Sequence, residues 1–175
     1  MDKIFPSEGN DVSSTLTGHT MTKKFSEILK QKNLDSQVIV FSESTRTAAD
    51  AAATLKCNIA QIAKSLIFKN SENQAVLVIT SGINRVDTNK IEKILNTKIF
   101  KADADFVKEK TTYTIGGVPP FAFPIPIITI IDEDLLKLPL IWAAAGTSNS
   151  VFSLSPKNLV EITQAPVHSI KIDAL

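Results

Sequence analysis

The chain has little of what most hydrolytic and metal-dependent sites are built from. It holds one cysteine, Cys57, and two histidines, His19 and His168, near opposite ends. A single cysteine excludes an internal disulfide and fits a reducing compartment. These three residues, so spaced, build no metal cluster. No G-x-S-x-G elbow marks a serine nucleophile, and no G-x-x-x-x-G-K loop marks a phosphate cradle. Arginine is scarce too. Of 19 basic residues only Arg46 and Arg85 are arginines, leaving seventeen lysines, so bidentate clamping of phosphates has few groups to draw on. Charge of one sign is absent: 19 basic against 18 acidic residues leave +1. That excludes an extended, sequence-blind nucleic-acid face, and DNA as a partner, while allowing contact with the end of a nucleic acid. The longest apolar run, Phe121 to Ile131, is broken by Pro124 and Pro126 and is too short to cross a membrane. The N-terminus shows no signal-peptide pattern, so the cytoplasm is the default location.

What is present suits one globular unit. The chain has 175 residues, 43% of them apolar and 21% charged, enough for one domain with a sizeable core. Residues 1–19 are polar, with Gly9, Gly18 and a Ser/Thr cluster, and read as a flexible N-terminal tail before a domain over 20–175. Met21, Phe25, Ile28 and Leu29 have helical spacing to about Lys32. Val38–Phe41 reads as a strand. Thr47 with Asp50 resembles a capping box before an Ala-rich helix to Lys56. Cys57 reads as a small residue at that helix end, or as a reactive thiol. Asn58 can cap a short helix that delivers Lys64 to the start of a strand. Gln74–Thr80 is a buried strand, and Asp87 caps a helix through Leu95. Lys98–Phe100 is a strand, and Asp103 opens a helix to about Lys108. Ile127–Ile131, Ile141–Ala144 and Val151–Leu154 are strands. A helical turn lies over 132–136, and Pro156 starts a short helix. These spacings suit a mixed sheet better than a regular doubly wound one.

Three segments invite a functional reading. In Asn58–Phe68 nearly every residue around Lys64 is apolar or small. On a strand, Lys64, Leu66 and Phe68 share one face and Ser65, Ile67 and Lys69 the other. Lys64 is then either a snorkelling residue at a core rim or an ammonium held for an anionic ligand. In Ile115-Gly-Gly-Val-Pro-Pro120, two glycines can take positive φ, and the prolines that follow stiffen the exit. Gly116 and Gly117 could then aim N–H groups at a ligand; an ordinary turn is the plain alternative. Trp142–Ser150 is a run of small residues, which serves either close packing or room beside a backbone.

Taken together, Ala60–Phe68, Ser81-Gly-Ile-Asn-Arg-Val-Asp87, Ile115–Phe121, Ile131-Asp-Glu-Asp-Leu135, Trp142–Gly146 and Val151–Pro156 resemble the YbaK/prolyl-tRNA-editing-domain family, in the family's order and over about residues 20 to 165. The resemblance implies an α/β single domain: a curved, barrel-like mixed sheet surrounded by helices. It implies ester hydrolysis of mischarged aminoacyl-tRNA in trans, without metal or cofactor. Its partners would be the tRNA acceptor end and, as a docking partner, an aminoacyl-tRNA synthetase. The family's essential lysine corresponds to Lys64 and its GxxxP loop to Gly116 and Pro120. Gly116 and Gly117 would hold the aminoacyl end, and Ser65 would give a hydrogen bond unless it is only a small strand residue. Gly146 and Thr147 would line the pocket. Arg85 and Asp87 would meet the tRNA end, with helix capping as the alternative for Asp87. The lysines at 90, 93 and 98 read as a solvated helix face. Many relatives have a small residue where Thr112 stands and often His where Thr147 stands, so the amino acid removed is left open.

With no nucleophile or metal site legible, an enzyme made from this chain relies on water and on electrostatic stabilisation. Two other readings use the same residues. A non-catalytic module would hold an aminoacylated tRNA or a phosphorylated nucleotide without turnover, or dock on a synthetase as its regulator. An interaction protein would leave Lys64 and the Gly-Gly loop without a joint role.

Overall fold

The computed structural model describes residues 9–42 and 47–173, with side chains from residue 18 onward. Helix α1 spans Gly9–Gln31. Its apolar stripe buries Phe25 and Leu29, each 1% exposed. The helix starts well before that stripe, so residues 9–19, read from sequence as tail, are helical; residues 1–8 lie outside the described part. Once a helix is nucleated, each further turn needs only a backbone hydrogen bond per residue and no apolar face.

The next elements follow their caps. The Thr47 hydroxyl oxygen accepts the Asp50 N–H at 3.1 Å, and α2 runs over Ala48–Leu55 to a left-handed residue at Lys56. Asn58 caps a 3-10 turn at Ile59–Gln61. Its side chain accepts the Ala60 N–H at 2.9 Å, while Gln61 reaches back to the Asn58 N–H at 3.1 Å. That reciprocal cap sets where strand β2, Ile62–Asn70, begins. β3 spans Ala75–Ser81 and is buried throughout. Then come α3 (Thr88–Leu95, capped by Asp87), β4 (Ile99–Lys101) and α4 (Ala104–Thr111), which runs three residues past the expected end. β5 is Ile128–Asp132, followed by a 3-10 turn at Glu133–Lys137. β6 is Ile141–Ala144 and β7 Ser150–Leu154. α5 is Pro156–Thr163, with Pro156 in its first turn. The Val38–Phe41 segment yields only the two-residue β1, Ile39–Val40, and a further pair, β8 at Val167–His168, was not foreseen.

The expected mixed sheet forms, in the order β1-β7-β6-β2-β3-β5-β8, with β4 pairing beside β2. β2 is antiparallel to β3 with Lys64 opposite Thr80, and parallel to β6 with Ala63 opposite Ala143. β3 and β5 are parallel. The two faces of this central region are packed differently. Ile67, Leu77 and Ile79 face the main core with Phe25, Phe121 and Phe152, whose rings meet at centroid distances of 5.0–5.8 Å. Each such ring contributes about 1.5–3 kcal/mol through burial. Phe68, Val76 and Val78 face a second core with Ile91 of α3, Ile130 and Ile170. Lys64, opposite Thr80, stands at the end of this second face.

Candidate functional site

The structure sorts the residues singled out from sequence into two groups. The first is built around Lys64. Its ammonium donates to the Asn84 carbonyl at 3.0 Å. Its other two N–H groups meet no protein acceptor among the described residues. Burial lowers the Lys64 pKa, the Asp132 carboxylate opposes that fall, and the Arg85 guanidinium adds to it. Asn84 and Arg85 lie in the loop after β3, and Asp132 ends β5, so three of the recognised stretches converge on this lysine.

Asp132 is 1% exposed. One carboxylate oxygen accepts the Thr80 hydroxyl at 3.0 Å, the Ser81 N–H at 3.0 Å and an Asn84 amide N–H at 2.8 Å. The other accepts the Asp134 N–H at 3.0 Å and so caps the following turn. The second Asn84 amide N–H goes to Asp134 at 2.8 Å. Asp134 also takes Lys137 at 2.7 Å and Lys171 at 2.8 Å, and these contacts, Lys137 foremost, hold its carboxyl well below the usual range. A short bridge from Val86 to Lys171 and a hydrogen bond from the Ile172 N–H to the Arg85 carbonyl at 2.8 Å tie the C-terminal segment to the same loop. Arg85 itself is exposed. Asp87 caps α3 through the Asn89 N–H at 3.0 Å.

The second group is made largely of backbone. Gly116 has φ +89° and Gly146 φ +100°. At Gly117, a Cβ would come within 2.9 Å of the Thr147 backbone, so the two loops touch where a side chain cannot fit. The expectation that both glycine N–H groups point at a ligand needs correction. The Gly117 N–H closes a turn to the Thr114 carbonyl at 3.0 Å, and of the two only the Gly116 N–H is without an acceptor among the described residues. Thr147 donates to Asn149 at 2.9 Å and pairs with the Ser150 hydroxyl. Gly146 packs on the ring of Tyr113, whose phenol donates to the Ala122 carbonyl at 3.1 Å and is pushed up in pKa by burial. A cavity of about 740 Å³ opens here, walled by His19 and Thr22 of α1, Thr112 and Tyr113 after α4, and Gly146 with Thr147. His19 reaches it because α1 extends through what the sequence suggested was tail.

Thr112 has a backbone reason to resemble glycine. It sits at φ +70° as the left-handed residue ending α4, a conformation that costs a β-branched side chain most.

The two groups stay apart, and two predicted site residues, Ser65 and Pro120, join neither. Lys64 makes no hydrogen bond or ion pair to the loop group. Ser65 is on the opposite face of β2 from Lys64, and its hydroxyl is buried with no hydrogen-bond partner among the described residues. Pro120 is buried and lines a separate hollow of about 410 Å³ with Lys32, Phe121 and Ile127. Cys57 is half-buried beside Ala51, Ala52 and Ile62, and burial raises its thiol pKa, which suits packing. Among the described residues, no three His, Cys, Asp or Glu side chains gather in a metal-binding group, and no helix is long and apolar enough to cross a membrane. Sequence reading missed Asn84, Asp132 and Lys171. Asp132 and Asn84 lay inside stretches already singled out, but nothing local told a buried acceptor from a solvated one.

An uncharacterised protein, YwhH, of Bacillus subtilis (strain 168) is 31% identical over 137 residues, 78% of this chain and 87% of that one. A crystal structure assigned as a candidate trans-editing enzyme for prolyl tRNA synthetase superposes with TM-score 0.82 at 34% identity, covering 87% of this chain and 98% of the other. Hypothetical protein APE2540 does so with TM-score 0.78 at 32% identity, covering 83% and 97%. The model of the aminoacyl-tRNA editing domain matches residues 42–162, a span that takes in Lys64, the Asn84 loop, the Gly-Gly loop, Asp132 and Thr147, and the chain belongs to that family.

Proposed function

We propose that this protein removes wrongly attached amino acids from tRNA in trans, by hydrolysing the ester between the amino acid and the terminal ribose. The observation that carries the proposal is the state of Lys64. It is a half-buried ammonium tethered by one hydrogen bond to the Asn84 carbonyl, with two N–H donors that meet no acceptor among the described residues. In a partly desolvated setting such a charge attracts a phosphate, or the oxyanion formed when water adds to the ester carbonyl. Water is the nucleophile. The tetrahedral intermediate then expels the ribose oxygen, giving a free amino acid and an uncharged tRNA end. The substrate's neighbouring hydroxyl can orient the water. Gly116 offers one backbone donor to the aminoacyl end, and Gly146 and Thr147 shape the wall beside it. An aminoacyl ester is already activated, so this modest equipment matches the reaction.

Arg85, exposed in the loop that holds Lys64, suits contact with the tRNA end. The similarity to a candidate trans-editing enzyme for prolyl tRNA synthetase makes tRNA for proline the first substrate to try, and that synthetase the first docking partner. A substrate made by synthetases assigns the work to the cytoplasm, and the reaction calls on no metal or cofactor. The test is a deacylation panel in which purified protein meets several mischarged tRNAs and released amino acid is counted. Catalytic release from at least one is expected. Saturable binding with no release from any would transfer the site to a non-catalytic binding module.

A further inference from the structure

We propose that Asp132 is a positioning residue for Lys64, acting through Asn84; for its effect on turnover the proposal rests on the deacylase reading above. Asp132 is a carboxylate 1% exposed with no cation within ion-pair distance among the described residues. A buried charge of this kind is costly unless every lone pair is used. Its use is asymmetric. One oxygen serves the local cap on Asp134. The other gathers donors from the end of β3 and from the Asn84 amide, which fixes the loop whose carbonyl receives Lys64. Asn84 spends both amide hydrogens on carboxylates, Asp132 and Asp134. A residue clamped on both sides presents its carbonyl at a set place, and so sets the ammonium.

Capping alone would need only the first oxygen. The second explains why a charged residue stands there: it supports the ammonium electrostatically as well as through the loop. The charges acting on Lys64 are Asp132 from the end of β5, in favour of the ammonium, and Arg85 from the loop, against it. Asp134 and Lys171 pair with each other beyond Asn84.

The decisive comparison is wild type, Asp132→Asn and Asn84→Ala, with thermal melts alongside. Asp132→Asn can keep an oxygen towards the three donors while losing the charge. It should lower kcat by about 10–100-fold, the scale of a misplaced catalytic group, with KM nearly unchanged. The readout independent of turnover is the pH titration of the Lys64 ε-carbon by NMR, assigned through its loss in Lys64→Ala. It should move to lower pH in Asp132→Asn, because the charge favouring the ammonium has gone. A folded Asp132→Asn protein with wild-type kcat and wild-type Lys64 titration would overturn the proposal. If Asp132→Asn fails to fold, Asn84→Ala takes its place. That variant keeps the carboxylate's charge and its Thr80 and Ser81 donors but frees the loop whose carbonyl holds the ammonium, so a similar fall in kcat and a displaced Lys64 titration support the proposal while their absence overturns it. If wild type releases no amino acid from any tRNA, the deacylase reading fails by itself. The Lys64 titration then decides alone: a shift in the variants upholds the positioning, and no shift refutes it.

Discussion

The Lys64 cluster and the Gly116 loop are two regions made by opposite means. Around Lys64, charged and amide side chains anchor to one another and to nearby backbone groups. The Asn84 amide donates to the buried Asp132 carboxylate at 2.8 Å and its main-chain carbonyl accepts the Lys64 ammonium at 3.0 Å, and the backbone is ordinary strand and loop. Around Gly116, side chains are nearly absent, and positive φ with a 2.9 Å approach of two loops defines the shape. The first kind of region is tuned by charge and distance and changes gradually under substitution. The second is steric: one added methyl group either fits or forces the chain aside. An enzyme whose substrate is both charged and tightly placed has use for both.

The largest effect should come from the first region. Lys64→Ala removes the half-buried ammonium tethered to the Asn84 carbonyl, and deacylation should fall by about 10²–10³-fold, the scale of losing a key electrostatic group. The melting temperature should barely move, since a partly exposed lysine adds mainly its stem to packing. Lys64→Arg should rescue poorly, because a planar fork does not fit the place of a compact ammonium. Wild-type turnover in Lys64→Ala would reduce the lysine to a snorkelling residue and leave the loop as the whole site.

Next comes the second region. Gly116→Ala should cost at least about tenfold in activity while the fold survives. The nearest atom to its new Cβ is that of Ser148 at 3.7 Å, so space is available, and the penalty is the φ of +89°. Steady-state kinetics with circular dichroism separate the two. If the variant keeps full activity, the loop only reverses the chain.

A smaller effect sharpens the steric side of the contrast. Thr112→Gly should stabilise the protein by about 1 kcal/mol, because glycine meets no Cβ penalty in the left-handed conformation that ends α4. Chemical denaturation measures it, and an unchanged midpoint would mean that Thr112 contacts repay its strain. The smallest effect concerns charge at long range. With net charge +1, tRNA binding should engage few phosphates, and log affinity should fall against log salt with a slope of about −1 to −4. A slope near about −8 would reveal a basic footprint larger than Lys64 and Arg85 supply.

How far each region could be foreseen follows from the same contrast. Helix caps were legible because they are local: Thr47, Asn58, Asp87 and Asp103 each bond within three residues. The Gly-Gly loop was visible as a loop for the same reason. That the Gly117 N–H would close its own turn was not visible, since turn type depends on φ and ψ rather than on composition. β8 was missed because a two-residue strand has no period to detect, and its pairing with β5 is made entirely in space. The start of α1 was misplaced because an apolar stripe marks where a helix is buried, not where it begins.

By itself the sequence determined the apolar periods, the caps and the glycines, and so the elements and their order, because these act over one or two turns of chain. It also determined that Lys64 would lie on a strand among apolar neighbours. Only the tertiary structure decided what that lysine meets. Asn84 is 20 residues away and donates to Asp132 a further 48 residues on, and only the pairing of β2, β3 and β5 brings them to one end of the sheet. Burial of Asp132 arises there too, because a carboxylate's solvation depends on everything that surrounds it, and its surroundings come from distant parts of the chain.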